Sequence, residues 1–296
     1  MVIKLDLEKA YDRMRWEFIQ DTLLQMRLPS QLIAVIMHCV SSCSLNILWN
    51  GEPSGAFQPT RGLRQGDPLS LYLFVACMER LSQLIETYCL EGKWKAIPIT
   101  RGGTRISHLM FAYDVVLVGD ASREQAQIIK ACLQEFCEAS RQKVSMQKSS
   151  ILFSPNMTAA VIAEVCNLLE MQPTEDFGRY LGVPTINGRV TAGMFQAVIN
   201  RVKNRLAGWK TKCLSLAGRI TMIKSTITAI PAYVMQSARL PRSVCDGLDK
   251  RIWRFLWGGT VMERKPHLVA WIQSLRRKHR LGWVYEACVN LTQRTS

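Results

Sequence analysis

Two aspartates that are far apart in the sequence stand where neighbouring strands would end. Asp6 lies near the end of the alternating stretch 1–7, which predicts a first strand, and Asp114 lies at the tip of a hairpin predicted over 108–118. Carboxylates that converge from adjacent strands can bind two Mg²⁺ ions, which activate a hydroxyl nucleophile and stabilise an in-line displacement at phosphorus. Surface aspartates are common, so the pair by itself also fits two ordinary turn residues.

The elements that would position these carboxylates follow from periodicity and turn signals. Pro68 predicts the start of a helix to about residue 90, because proline fits a first helical turn. Ser122 and Gln125 form a capping-box pattern for a helix to about residue 140. Other predicted elements are helices over 15–27 and 30–43, a hairpin in 44–60 turning at Asn50-Gly51, a loop over 61–67, a strand near 149–154 and a mainly helical region from 158 with an extended piece over 180–184.

Positive charge is concentrated in the second half of the chain. The 296 residues carry a formal net charge of +15. Residues 1–150 hold 17 basic and 15 acidic side chains, whereas residues 151–296 hold 21 basic and 8 acidic ones. Such asymmetry favours a polyanionic partner, most often a nucleic acid. A basic surface that serves only solubility gives the same count.

Cysteine spacing and hydropathy indicate in which cellular compartment the protein is expected. The 10 cysteines contain no CxxC pair, which is typical of reduced thiols in an intracellular protein, nuclear or cytoplasmic. No uncharged apolar run reaches the roughly 20 residues of a membrane span, so we expect no membrane partner.

Three motifs occur in a fixed order: KLDLEKAYD over 4–12, RGLRQGDPLS over 61–70 and FAYD over 111–114. In this order they closely resemble the reverse transcriptase of LINE-type retrotransposons, which lack long terminal repeats, and its plant branch in particular. The resemblance continues downstream through the segments 142–149, 180–184, 206–210 and 214–219. It therefore runs nearly from end to end of the chain.

The resemblance implies an α+β fold and a polymerase activity. We expect a polymerase palm, an antiparallel sheet backed by helices, with partial fingers over 1–155. Residues 156–296 would hold the remaining palm motif and a basic, mainly helical, thumb-like region. The implied activity is RNA-directed DNA polymerisation with two Mg²⁺ ions. The implied partners are an RNA template, an RNA–DNA hybrid and, in an active enzyme, deoxynucleoside triphosphates.

The resemblance also assigns candidate roles in the first half. Asp6 and Asp114 match metal ligands, and Tyr11 matches an aromatic gate that crowds a ribose 2′-hydroxyl; a packing tyrosine is the alternative. Lys148 matches a lysine near the leaving pyrophosphate, although a lysine before a strand is usually just solvated. The residues matched to the loop that contacts the incoming nucleotide and the template are Arg61, Gln65 and Gly66.

The basic half contains cations interleaved with apolar and aromatic residues. A helix with this pattern can grip a phosphate backbone, or its aromatic side chains can all belong to a core, and the two are compatible. In a second segment, over 251–257, cations alternate with Trp253, Phe255 and Trp257. The candidate nucleic-acid contacts are Arg201, Lys203, Arg205, Lys210 and Lys212.

Tyr113 is the main departure from the family pattern. The family carries Phe/Tyr-Ala-Asp-Asp at this hairpin, and Tyr113 occupies the position of the first aspartate, the more direct metal ligand by resemblance. A phenol with a pKa of about 10 stays protonated near neutral pH and is a poor Mg²⁺ ligand. The sequence therefore predicts that polymerase activity is abolished or nearly so.

Other departures agree with a decayed copy of a mobile element. Leu71 replaces a usual proline, and Arg141 replaces a usual glycine where a left-handed helix cap is expected. The chain starts at the first catalytic strand, so we expect the preceding fingers segment to be missing. The alternatives are a catalytically dead nucleic-acid-binding protein and a remnant that never accumulates as folded protein.

Overall fold

The chain divides into two compact units with separate hydrophobic cores. The computed structural model describes residues 1–100, 102–186, 188, 190–208 and 213–257. Unit 1 is Met1–Phe177 and unit 2 is Gly178–Ser296. The boundary expected at residue 155 falls inside unit 1. Within the described ranges, no helix combines the length and the apolar character needed to cross a bilayer.

Unit 1 is built on a five-stranded sheet in the order β6-β7-β1-β8-β9. All neighbouring pairs are antiparallel except β8 and β9, which are parallel and are connected through a helix. The strands of this sheet are β1 (Val2–Leu5), β6 (His108–Phe111), β7 (Asp114–Val118), β8 (Ser150–Leu152) and β9 (Gln172–Thr174). Two small hairpins complete the strands of this unit: β2 (Leu48–Trp49) with β3 (Glu52–Pro53), and β4 (Ile97–Pro98) with β5 (Arg105–Ile106).

Helices cover one face of the sheet and create the core of unit 1. Ile3, Leu5 and Leu117 are fully buried in the same apolar cluster as Phe74 and Phe136 from two long helices. This mainly antiparallel sheet backed by helices confirms the predicted α+β, palm-like fold. The helices of unit 1 are α1 (Ala10–Arg13), α2 (Trp16–Gln25), α3 (Ser30–Ser41), α4 (Pro68–Leu90), α5 (Arg123–Ser140) and α6 (Ala159–Leu169).

Local signals in the sequence determine where several elements begin and turn. Pro68 is the first residue of α4, and the Asp67 carboxylate accepts a hydrogen bond from Leu69 N at 3.2 Å. The Ser122 hydroxyl accepts from Gln125 N at 3.2 Å and so caps α5. These starts agree with the predictions because capping depends on residues that are neighbours in sequence.

Unit 2 begins with a small hairpin and continues as helices. Its core includes Phe195, Val202, Ile223 and Leu248, which are fully buried. A 3₁₀ turn, Ala192–Phe195, precedes the first helix, and a π-helical segment, Ile223–Ile227, follows the second. The described elements are β10 (Arg179–Tyr180), β11 (Val183–Pro184), α7 (Gln196–Ala207), α8 (Leu216–Met222), α9 (Ala229–Met235) and α10 (Arg242–Leu256).

Candidate functional site

The register between β1 and β7 brings the two candidate carboxylates together. Leu5 pairs with Val115 at the end of the ladder, so one further step places Asp6 opposite Asp114. Directly opposed residues in an antiparallel pair have Cα atoms about 4.5–5.5 Å apart. Because Leu5 and Val115 point into the core, the next residue on each strand points to the other face. Both aspartates therefore lie side by side on the face away from the core, and both are half-buried.

The tip of the β6–β7 hairpin holds Tyr113. Phe111 pairs with Asp114, which leaves Ala112 and Tyr113 as a two-residue turn. Ala112 has φ +52°, a left-handed conformation that costs a non-glycine residue roughly 1–2 kcal/mol. The Tyr113 side chain is 54% exposed. The tyrosine thus projects from a strained turn directly before one of the two carboxylates.

The turn that carries Lys148 is tied to the backbone of Asp6. Ser145 N donates to Asp6 O at 2.7 Å, and Asp6 N donates to Ser149 Oγ at 3.0 Å. Lys148 is exposed between these two serines, and its backbone N donates to Ser145 O at 3.2 Å. The structure therefore brings the segment containing Lys148 to the end of the strand that carries Asp6.

Tyr11 lies half-buried between a helix and the hairpin tip. Its ring stacks on Phe74 of α4, with centroids 4.5 Å apart and an interplanar angle of 14°. Burial raises the pKa of Tyr11, and the nearby hydroxyl of Tyr113 raises that pKa further. Tyr11 is therefore packed on one side, stays protonated at neutral pH and lies within electrostatic reach of Tyr113.

The loop before α4 closes against the segment that contains Tyr11. Gly62 N donates to Met14 O and Leu63 N donates to Tyr11 O, both at 2.8 Å. Trp16 Nε1 donates to Gly62 O at 2.8 Å. A Cβ on Gly62 would lie 2.8 Å from Asp12 O, and the φ of Gly62 is +92°, so only glycine fits here. This contact places the loop containing Arg61, Gln65 and Gly66 beside the Tyr11 segment.

The three candidate nucleotide contacts of that loop are exposed. Arg61, Gln65 and Gly66 all have accessible side chains or backbone. Gly66 has φ +87°, and nothing lies within 4 Å of the position of its missing Cβ. Asp67, in contrast, stabilises the start of α4, because its carboxylate accepts hydrogen bonds from Leu69 N and from Ser70 Oγ.

Comparison with known proteins identifies the family of this arrangement. The family model described as reverse transcriptase (RNA-dependent DNA polymerase) matches residues 1–185. The chain belongs to the reverse transcriptase family. Proteins of retrotransposable elements from Drosophila melanogaster and Nasonia vitripennis also match. The resemblance to LINE-type retrotransposon reverse transcriptases, stated from the motifs, is thereby confirmed.

Two relatives of this reverse transcriptase are much longer proteins, of which the chain spans less than a fifth. A putative ribonuclease H protein of Arabidopsis thaliana is 37% identical over 89 residues, which cover 30% of this chain and 14% of that protein. An uncharacterized 149 kDa protein of transposon TX1 from Xenopus laevis is 25% identical over 264 residues, which cover 87% of this chain and 19% of that protein. Telomerase from Candida albicans, solved in complex with a TWJ fragment of telomeric RNA, aligns with 86% of this chain and 43% of its own, with a TM-score of 0.43 and 12% identity.

The donors of this reverse transcriptase fall short of a two-ion metal site. Asp6 and Asp114 offer carboxylate oxygens on one face of the sheet, and the turn beside them offers the phenol of Tyr113. Across the described residues, no group of three or more His, Cys, Asp or Glu side chains could hold a metal ion. Two Mg²⁺ ions need several converging hard oxygen ligands, so the residues present do not fit that arrangement.

The described cations of the candidate nucleic-acid interface are exposed on one helix. Val198 and Val202 of α7 are buried in the core of unit 2. The three predicted contacts in the same helix all face solvent, namely Arg201, Lys203 and Arg205. The other two, Lys210 and Lys212, lie outside the described residues.

The aromatic residues of α10 belong to the core rather than to the surface. Trp253 and Phe255 are 8% and 9% exposed and lie in the apolar cluster of unit 2. Arg251 and Arg254 on the same helix face solvent. The packing interpretation therefore holds for the two aromatic rings, while the cations remain accessible.

Two residues that help to build the site were not among the candidates predicted from the sequence. Phe74 lies in the apolar run of α4 and looks like any core residue, yet it supports the ring of Tyr11. Gln142 follows α5 by two residues, and its side chain donates to Ala10 O at 2.8 Å. Both contacts join segments more than 60 residues apart in sequence, which periodicity and turn signals do not report.

Proposed function

We propose that this reverse transcriptase carries a polymerase site in which catalysis is abolished or nearly so. The observation that supports the proposal is the β1–β7 register, which sets Asp6 opposite Asp114 while Tyr113 occupies the adjoining turn. The family resemblance implies a carboxylate at the position of Tyr113. A phenol that stays protonated near neutral pH replaces that negative charge.

The remaining residues have roles that fit RNA-directed DNA polymerisation. In a site restored at position 113, Asp6 and Asp114 would be the metal ligands, and Lys148 would neutralise charge on the leaving pyrophosphate. Tyr11, held against Phe74, is proposed to exclude a ribose 2′-hydroxyl from the nucleotide position. Arg61, Gln65 and Gly66 are proposed to contact the incoming nucleotide and the template. Two Mg²⁺ ions would supply Lewis acid chemistry in an intact site of this type.

Loss of one carboxylate has a large expected effect on rate. Removing a negative charge from a two-ion site should cost several kcal/mol of transition-state stabilisation, and about 1.4 kcal/mol corresponds to a factor of ten in rate. The ring of Tyr113 also adds bulk where a carboxylate and its ion belong. Activity in the native chain is therefore expected to lie several orders of magnitude below that of a restored site.

Primer extension on an RNA template tests the proposal directly. We expect no extension by the native chain with Mg²⁺ and deoxynucleotides, and extension by the Tyr113→Asp variant. Tyr113→Ala is the matched control, because it removes the ring without adding a carboxylate, and Asp114→Asn in the Tyr113→Asp chain should abolish the restored activity. Extension by the native chain at a rate comparable to Tyr113→Asp would show that Tyr113 does not disable the site.

A second candidate function is binding of nucleic acid without catalysis, through unit 2. Among residues 178–257, the described positions include 11 basic and 2 acidic side chains. Three of those cations lie at exposed positions of α7, where no acidic residue is present. An array of exposed cations on a packed helix is suited to RNA or RNA–DNA hybrid backbones, with affinity that falls steeply as salt rises.

The two candidate functions respond differently to metal and salt. Binding of labelled RNA and RNA–DNA hybrid should persist in EDTA and weaken strongly between about 50 mM and 200 mM salt. Binding that requires Mg²⁺ and is insensitive to salt would count against this second function. Absence of a cooperative unfolding transition in the purified protein would favour the third alternative, a remnant that does not fold.

A further inference from the structure

The segment that carries Tyr11 is held from two sides by distant parts of unit 1. On one side the loop before α4 donates to Met14 O and Tyr11 O from Gly62 N and Leu63 N. On the other side lie the last residue of α5 and the segment that follows this helix. Glu8 N donates to Lys143 O at 2.8 Å, and Arg15 N donates to Ser140 O at 3.2 Å. These hydrogen bonds join backbone atoms, so residues with almost any side chain could form them.

Gln142 supplies the side-chain contact on that second side. Its Nε2 donates to Ala10 O at 2.8 Å and lies 3.9 Å from Met14 Sδ. The residue is 4% exposed, and 132 positions separate it from Ala10. Ala10 directly precedes Tyr11, so the amide fixes the peptide unit from which the Tyr11 ring projects.

We propose that Gln142 is a positioning residue that holds Tyr11 in place and thereby sets discrimination between deoxyribonucleotides and ribonucleotides. The inference rests on the proposed role of Tyr11 at the nucleotide sugar. Sugar discrimination by a ring depends on its placement to within about an ångström, because small displacements of positioned groups cost up to 100-fold in selectivity or rate. Gln142 acts through Ala10 and Tyr11, and it does not touch the nucleotide.

Two features indicate that the Ala10 contact does more than fill space. Lys9, just before it, has φ +46°, a left-handed conformation that persists only where the surroundings fix the chain. Gln142 Oε1 is buried and accepts no hydrogen bond within the described part of the chain. A buried unsatisfied oxygen is costly, so an apolar residue of the same size would suit the core better if packing alone mattered.

Gln125 provides a matched control elsewhere in unit 1. It is 3% exposed, and its side-chain amide also bonds to backbone, donating to Lys93 O at 2.8 Å and accepting from Lys95 N at 2.9 Å. Those partners lie in the loop after α4, in a different segment from Tyr11. Methionine is nearly isosteric with glutamine and removes the hydrogen bonds at either site while keeping volume.

The first test measures sugar selectivity in the Tyr113→Asp chain. Gln142→Met should lower the ratio of kcat/KM for deoxynucleotides over ribonucleotides by about 10- to 100-fold, whereas Gln125→Met should leave the ratio unchanged. Adding Gln142→Met to Tyr11→Ala should change the ratio no further, since both act through the same ring. An unchanged ratio in Gln142→Met, at a loss of stability similar to that of Gln125→Met, would overturn the proposal.

A second measurement separates this proposal from the proposed polymerase function. If Tyr113→Asp extends no primer, the polymerase proposal fails, and amide hydrogen exchange in the native chain decides the positioning role. Gln142→Met should speed exchange at the amides of Gly62 and Leu63, which donate to the Tyr11 segment, by about tenfold or more. Gln125→Met should not. Equal exchange in the two variants would refute the positioning role independently of any activity.

Discussion

Unit 1 and unit 2 differ sharply in charge and in how their candidate functional residues are held. Residues 1–177 carry 17 basic and 19 acidic side chains, whereas residues 178–296 carry 21 and 4. In unit 1 the candidate residues are fixed by backbone hydrogen bonds, a stacked ring and a strained turn. In unit 2 the described candidates are exposed cations on a packed helix.

This difference predicts that catalysis and nucleic-acid affinity are separable in this reverse transcriptase. The proposed catalysis at Asp6 and Asp114 would depend on exact geometry and on every ligand, so one substitution such as Tyr113 is expected to be enough to disable it. Attraction for a polyanion depends on summed charge and tolerates the loss of any single residue. A decayed chain is therefore expected to lose the first property before the second.

The strongest test of the separation is reversal of charge in unit 2. Arg201→Glu, Lys203→Glu and Arg205→Glu together should lower RNA affinity by about 100-fold or more at moderate salt and reduce the slope of log affinity against log salt by about 2–3. The stability of unit 1, followed by hydrogen exchange, should not change. Titration of labelled RNA at several salt concentrations measures the effect.

A matched charge reversal in unit 1 tests whether RNA affinity depends on where the cations lie or only on the net charge. Three exposed cations of that unit, which form none of the ion pairs recorded among its described residues, can be changed to glutamate in the same way. Changing these three residues to glutamate should lower RNA affinity far less than the triple substitution in α7. Equal losses of RNA affinity in the two triple variants would show that net charge, and not its position in unit 2, determines binding. The three control positions are Arg27, Lys95 and Arg105.

Close packing of the loop before α4 predicts a large effect in unit 1. Gly62→Ala should destabilise unit 1 by about 2 kcal/mol, because it adds both backbone strain and an overlap with Asp12 O. Gly51→Ala has a similar φ, +89°, but open space around its Cβ, so it should cost only about 1 kcal/mol. Urea unfolding measures both variants, and equal losses would contradict the close approach.

The helix cap at Arg141 predicts a gain of stability. Arg141 has φ +61° and ψ +19° at the end of α5, the left-handed conformation expected from the family's usual glycine. Arg141→Gly should stabilise unit 1 by about 1 kcal/mol, because glycine adopts this conformation without strain. Arg141→Ala keeps the strain and should give no gain, which separates a conformational effect from loss of the arginine charge. Thermal unfolding of the three proteins checks this prediction.

The smallest predicted effect is a dependence of unit 1 stability on pH through His108. Its Nε2 lies 2.7 Å from Ser82 Oγ, and its Nδ1 lies 2.9 Å from Ser107 Oγ. Burial lowers the pKa of His108 below its usual 6.5, although Glu86 and Glu79 partly oppose this. The unfolded chain therefore binds the proton more readily, so the stability from neutral His108 is complete above pH 6.5 and is lost as pH falls below it.

Substitution of His108 isolates its contribution. The free energy of unfolding of unit 1 should decrease between about pH 7 and pH 5 in the native chain, and this decrease should be smaller in His108→Gln. Hydrogen exchange of unit 1 peptides at both pH values provides the measurement. An identical pH dependence in the two proteins would assign the effect to other groups.

The sequence by itself determined the features that depend on neighbouring residues. Four features follow from local rules: the hairpin in which Asp114 directly follows the turn, the turn at Asn50-Gly51, the start of α4 at Pro68 and the cap of α5 at Ser122. Turn type, capping and strand alternation act over a few residues, so they can be recognised without knowledge of the fold. The order of the three motifs was sufficient to identify the family.

Tertiary structure alone decided the contacts that make these local pieces into a site. The opposition of Asp6 and Asp114, the approach of Gly62 to Asp12 and the bond from Gln142 to Ala10 join segments that are between 50 and 132 residues apart. It also decided that Trp253 and Phe255 belong to a core while their neighbouring cations face solvent. The physical reason is that strand register and close packing are set by the shape of the whole core, which no short segment encodes.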